Sequence, residues 1–168
     1  TAFSSRTMLK DAVDTCLKTS PRGDCSKGPY GLLTEWDVSR VADMSSVFAK
    51  KKFFNGDISK WDVSKVKTTS GMFSYAPSFN GDISNWDVSS ATDTNHMFYY
   101  ASSFNGDISR WDVSRVTNML SMFQCASAFD GDISRWDLSR VTSISAMFFA
   151  NRDNSASSFD GDISKWDV

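Results

Sequence analysis

The chain has 168 residues, 40% of them hydrophobic, which is enough to bury a core within one domain. Its formal charge of −2 lacks the basic excess that nucleic acid or an anionic membrane attracts. No apolar run approaches the roughly 18 residues of a membrane-spanning helix.

The first 35 residues form a segment of their own. They start at Thr1 without Met or an apolar leader, which reads as a mature or excised segment. Leu9, Val13, Cys16 and Leu17 mark one face of a short amphipathic helix. The loop SPRGDCSKGPYG follows. Cys16 and Cys25 flank it and are placed to close a small disulfide ring, which implies an oxidising compartment. Two free thiols in a reducing cell are the alternative. Cys125 is left over and reads as a half-buried small hydrophobe. Arg22-Gly23-Asp24 spells an adhesion tripeptide, although Gly and Asp suit any turn.

From Trp36 the chain repeats. Trp36, Trp61, Trp86, Trp111 and Trp136 are 25 residues apart, and Trp166 follows 30 later. Each is followed by Asp and then Val or Leu. The five extra residues fall at 151–155, as a surface loop on one coil would place them. Residues 1–35 are therefore expected to be a helical cap with its loop, and 36–168 a solenoid of about five coils. The sequence stops part-way into a coil at Trp166-Asp167-Val168, so the expectation is either that the native protein continues or that another chain covers this open end, as in end-to-end association.

Within one repeat, Val116, Met119, Met122 and Phe123 fall at helical spacing, with Ser114 placed as a cap. Asp130-Gly131 is a turn signal, as are Asn55-Gly56, Asn80-Gly81 and Asn105-Gly106. Asp132-Ile133-Ser134 and Trp136-Asp137-Leu138 alternate in the manner of strands. Strict alternation would carry Arg135 inward, so the chain must bend between the triplets. Two short extended arms and one short helix per coil follow, stacked at about the 4.8 Å spacing of paired strands.

The string FNGDISRWDVSRVTNMLSMFQCASAFDGDIS resembles the 25- to 26-residue surface-protein repeat of mycoplasma lipoproteins and BspA-like proteins, also abundant in diatoms and other microalgae. The resemblance covers 36–168, and the opening is similar to the capping segment of algal members. Val47, Thr69 and Thr94 depart from the pattern at Met positions, and Asn151 interrupts the last coil. The resemblance implies a right-handed, leucine-rich-repeat-like solenoid with a surface or secreted location and adhesion or protein-interaction roles. It carries no catalytic residues and implies no cofactor.

Chemistry is sparse. His96 is the sole histidine and sits at a variable position, occupied elsewhere by Gly71, Ser121 and Ala146, which reads as solvated. It has no partner for zinc or for a nucleophile–base pair. Asp57, Asp82, Asp107 and Asp132 align in one column, a candidate for Ca²⁺. The rival reading makes each Asp the cap of its own Asp-x-Ser turn. Ser59, Ser84, Ser109 and Ser134, with Arg110 and Arg135 beside them, form a candidate binding ladder. A hydroxyl row of this kind also raises ice binding, which the flanking charged columns oppose. A non-enzymatic scaffold contacting protein or glycan, secreted or on a surface or in a lumen, is expected. A calcium- or carbohydrate-dependent adhesion module, or a structural subunit of a larger assembly, is the alternative.

Overall fold

The computed structural model describes residues 1–150, 158–164 and 166; the insertion at 151–155 and residues 167 and 168 lie outside them. Helix α1 spans Arg6–Thr19. Ser5, in extended backbone, accepts a bond from the Met8 amide and satisfies one of the free donors of the first turn. Leu9, Ala12, Val13 and Cys16 form its buried stripe, with Leu17 at the margin of the core. Cys16 is bonded to Cys25, their Cα atoms 5.3 Å apart.

This opening segment covers the first coil. The Phe3 amide bonds to the Asp37 carbonyl and the Asp37 amide to the Thr1 carbonyl, both at 2.8 Å. Lys51 of the first coil pairs with Asp14 of α1 at 2.7 Å. Gly23 sits at φ +98°, where an added Cβ would lie 2.7 Å from the Phe54 ring. Only glycine fits that approach. The middle residue of the adhesion tripeptide is thus fixed by packing, with Arg22 and Asp24 exposed on either side.

Beyond Trp36 the coils stack at the 25-residue register. In one arm of each coil, alternate amides bond along the stack to the next coil. Thr94 donates to Asn118, His96 to Leu120, Phe98 to Met122 and Tyr100 to Gln124, at 2.9–3.0 Å. Intervening amides bond three residues back within the coil, Met97 to Thr94 and Tyr99 to His96. At another corner the direction reverses: the amides of Thr92, Thr117 and Thr142 donate to the preceding coil at Lys67, Thr92 and Thr117. Their hydroxyls reach the same carbonyls at 3.0–3.2 Å. A third ladder runs through side chains, the amides of Asn80, Asn105 and Asp130 each bonding to the Asn side-chain oxygen one coil earlier.

The leucine-rich-repeat-like architecture, with short parallel strands and one helix in every coil, is overturned. Among the described residues the pairing between coils consists of isolated parallel bridges such as Thr68↔Asp93 and Asp93↔Asn118, and α1 is the one α-helix. The arm at Met119–Cys125 is a ribbon of tight turns. Every fourth residue is left-handed, with φ of 54° at His96 and Ser121, 56° at Tyr100 and 58° at Cys125. A left-handed residue breaks the i→i−4 ladder and turns the next amide toward the neighbouring coil. The extended triplets fail as strands because Trp111 and Val116 each bond three residues back, to Ile108 and Val113. Among the described residues extended pairing therefore does not continue beyond a single residue.

The core lies inside the stack. Phe48, Phe73, Phe98, Phe123 and Phe148 form one column with centroids 5.5–5.7 Å apart and nearly parallel planes. Phe54, Phe79, Phe104, Phe129 and Phe159 form a second. Within a coil the two rings lie face to face, 3.8 Å apart for Phe98 and Phe104. Each such ring gains about 1.5–3 kcal/mol on burial, and its stacked partners add to that. Trp86, Trp111 and Trp136 donate through Nε1 to the Ile carbonyl of the preceding coil at 3.1–3.2 Å. Leu33 supplies that carbonyl to Trp61, standing where an isoleucine stands in later coils. Thr69 and Thr94, buried at Met positions, direct their hydroxyls to the thioethers of Met97 and Met122.

Candidate functional site

The Asp columns are built as turn caps. In Asp57, Asp82 and Asp107 one carboxylate oxygen accepts both the amide and the hydroxyl of the Ser two residues on, at 3.0 and 2.7 Å. Asp132 accepts the Ser134 amide in the same way. The second column repeats the device at Asp62 with Ser64 and Asp87 with Ser89. The Ser109 hydroxyl, then its amide, hold the Asp107 carboxyl below the ordinary value of 3.8. For Asp132 the order is amide first, then hydroxyl.

The hydroxyls of Ser59, Ser84 and Ser109 are thus turned onto carboxylates. Arg110 and Arg135 stand exposed beside them and favour the charged forms of Asp107 and Asp132 through space. Among the described residues no group of three or more His, Cys, Asp or Glu side chains is gathered to hold a metal ion. Cys125 is buried and free, its Sγ 3.6 Å from the Phe149 carbonyl.

A different edge of the stack carries the departures from the repeat. Lys50, Tyr75, Tyr100 and Cys125 share one left-handed column, and their amides bond in turn to the carbonyls of Ser74, Tyr99, Gln124 and Phe149. Tyr75 and Tyr100 stack at 5.0 Å with 14° between planes. Tyr99 stands edge-on to both, at 5.2 and 4.7 Å. His96 packs 5.2 Å from Tyr99, and its Nδ1 lies 2.8 Å from the Asn95 side-chain oxygen. It is half-buried, and its column includes the buried Gly71 and Ser121, so variation there reflects the left-handed backbone rather than full exposure. A hydrogen bond with Tyr75, and then burial, push the Tyr99 hydroxyl up to about 12.

The same edge continues toward α1. Lys50, Lys51, Lys52 and Phe53 meet Leu17, Lys18 and Pro21 around a recess of about 550 Å³. Phe53 is 57% exposed, with the Lys52 ammonium 5.4 Å from its ring centre. Asp14 lies between Lys51 and Lys10; burial acts to raise its carboxyl, but hydrogen bonds from the two lysines bring it below the ordinary value. The repeat consensus hides this edge, because its residues are the ones that break their columns. Three of the four tyrosines falling within two coils was the signal in the sequence.

Stacked 25-residue coils, opened by a disulfide-tied helix and decorated along one edge, define a repeat protein of the surface-repeat class. The chain belongs to the family described as Mycoplasma protein of unknown function, DUF285, which matches residues 24–119 and 82–168. That family fits the mycoplasma-type, BspA-like surface repeat, and the match carries no algal affiliation. No curated protein and no solved structure matches the chain. No helix among the described residues is long and apolar enough to cross a membrane.

Proposed function

We propose that the chain is a non-enzymatic interaction scaffold, secreted, at a cell surface or in a lumen, whose stack presents long faces to a protein or glycan partner. One observation carries the reading. The consensus Phe, Trp, Ile, Asp and Ser side chains are engaged in packing or caps, whereas two of the exposed large aromatics, Phe53 and Tyr75, stand beside Lys50 and Lys52 on one edge. Exposed aromatics grouped in this way characterise contact surfaces. The Cys16–Cys25 bond supports an oxidising compartment.

The test is comparative capture. Immobilised protein and its Tyr75→Ser/Tyr100→Ser variant are exposed to surface material from the source, and bound components are quantified. A component enriched by the parent and lost from the variant is expected. Equal recovery by the two, or no enrichment at all, overturns the reading.

A further inference from the structure

We propose that the lysine-lined recess and the tyrosine edge beyond it form one track for an anionic polysaccharide, a chain of sulfated or carboxylated sugars. This deepens the scaffold reading and rests on it. Charge is the first argument. Lys18, Lys50, Lys51 and Lys52 face a single carboxylate, Asp14, on a chain whose net charge is −2. Among the described residues Lys51 alone of the four closes an ion pair with it. Among the described residues Lys18, Lys50 and Lys52 close no ion pair with a carboxylate, although the Lys52 ammonium also lies over the Phe53 ring, so their charge is available to an external anion.

The second argument is amphipathic character. Leu17, Pro21 and the exposed Phe53 ring put apolar surface next to those cations. A sugar ring offers the complement, a C–H face for the apolar floor and an anionic substituent for the lysines. The third is linearity. Lys50, Tyr75 and Tyr100 follow one another in successive coils, joined by hydrogen bonds from the Lys50 amide to the Ser74 carbonyl and from the Tyr75 amide to the Tyr99 carbonyl. That row suits an extended polymer better than a compact ligand.

The tyrosine geometry separates a sugar chain from nucleic acid. Bases bind by stacking on open aromatic faces, but Tyr75 and Tyr100 already face one another at 5.0 Å. The outer edge of Tyr75, 45% exposed, remains for contact with a sugar ring.

The probe is fluorescently labelled dextran sulfate, titrated into the protein with neutral dextran, polyglutamate and single-stranded DNA as comparisons. Dextran sulfate is expected to bind tightest, with affinity falling as salt rises. The Lys18→Gln/Lys50→Gln/Lys52→Gln variant should bind about tenfold more weakly with a flatter salt dependence. Tyr75→Ser/Tyr100→Ser should lose about fivefold with the salt slope kept. Unchanged melting temperature and circular dichroism confirm that both variants fold. Dextran sulfate binding no better than neutral dextran, polyglutamate or DNA binding as well as dextran sulfate, or a tyrosine variant equal to the parent each overturns the proposal. If the tyrosine variant still loses a captured surface component, only the polysaccharide assignment falls; if that capture fails as well, the scaffold reading falls with it.

Discussion

Helix α1 and the arm of each coil both carry apolar spacing that suits a helix, yet they adopt different backbones. Leu9, Val13 and Cys16 recur at four and three residues, Met119, Met122 and Phe123 at three and one. In α1 the amides bond within the segment, Leu9 to Ser5 at 3.1 Å. In the arm, Met119, Ser121 and Phe123 bond instead to Ser143, Ser145 and Met147 of the next coil. The left-handed residues that permit this cost about 1–2 kcal/mol each. Bonds to the neighbouring coil and the buried Phe columns offset that cost, and α1, without a coil paired along its length, has no such return and stays helical. Apolar spacing thus specifies which side chains go inward, while the available carbonyls decide the backbone.

The strongest way to break the comparison is Phe98→Ala. Phe98 packs on Phe73, Phe104 and Phe123 across three coils. Its truncation should cost about 3–5 kcal/mol, read from the urea midpoint. A loss under about 1 kcal/mol would mean that the columns do not hold the stack. Paired substitutions sharpen the contrast further. At Thr15, exposed in α1, Gly should be less stable than Ala by about 1 kcal/mol. At His96, held at φ 54°, the order should reverse by a similar amount. The same order at both sites would show that the arm is an ordinary helix after all.

Trp86→Phe is a smaller probe, because the Ile58 carbonyl that Trp86 Nε1 reaches also accepts the Trp61 amide. Loss of the indole bond should cost about 1 kcal/mol, again by urea denaturation. The acid response is the mildest. The carboxyls of Asp57, Asp62 and Asp107 lie below the ordinary 3.8 when folded, chiefly because Ser hydroxyls bond to them. Their stabilising effect is complete above that value and is lost as pH falls through it toward the folded values. Melting temperature should therefore stay level from neutral pH to about pH 5 and drop below about pH 4. A rise on acidification would contradict the capping assignment.

Much of the interior was legible from the period. The columns of Trp, Phe and Ile sit above one another because stacked coils can bury an apolar face only against its copy. The Asp-x-Ser caps were legible too, since the side chain and the amide two residues on are covalently close. The strands and the repeated helix that the spacing predicts are absent from the described coils. Met119, Met122 and Phe123 point inward alike from an α-helix and from a ribbon of turns, so their spacing does not separate the two. The aromatic and lysine edge is not legible in the repeat, because Tyr75, Tyr99 and Lys50 lie at its variable positions and become neighbours only once coils 25 residues apart are stacked.

By itself, then, the sequence determined the 25-residue register, the inward residues, the capped turns and a short helix carrying Leu9, Val13, Cys16 and Leu17. All of these depend on neighbours along the chain or on identical residues one period away. Only the tertiary structure decided which backbone amides would bond between coils, that residues such as His96 and Tyr100 would be left-handed, and that one edge would gather the aromatics and lysines. Each of those outcomes requires a partner from another coil, and no window of a single repeat contains it.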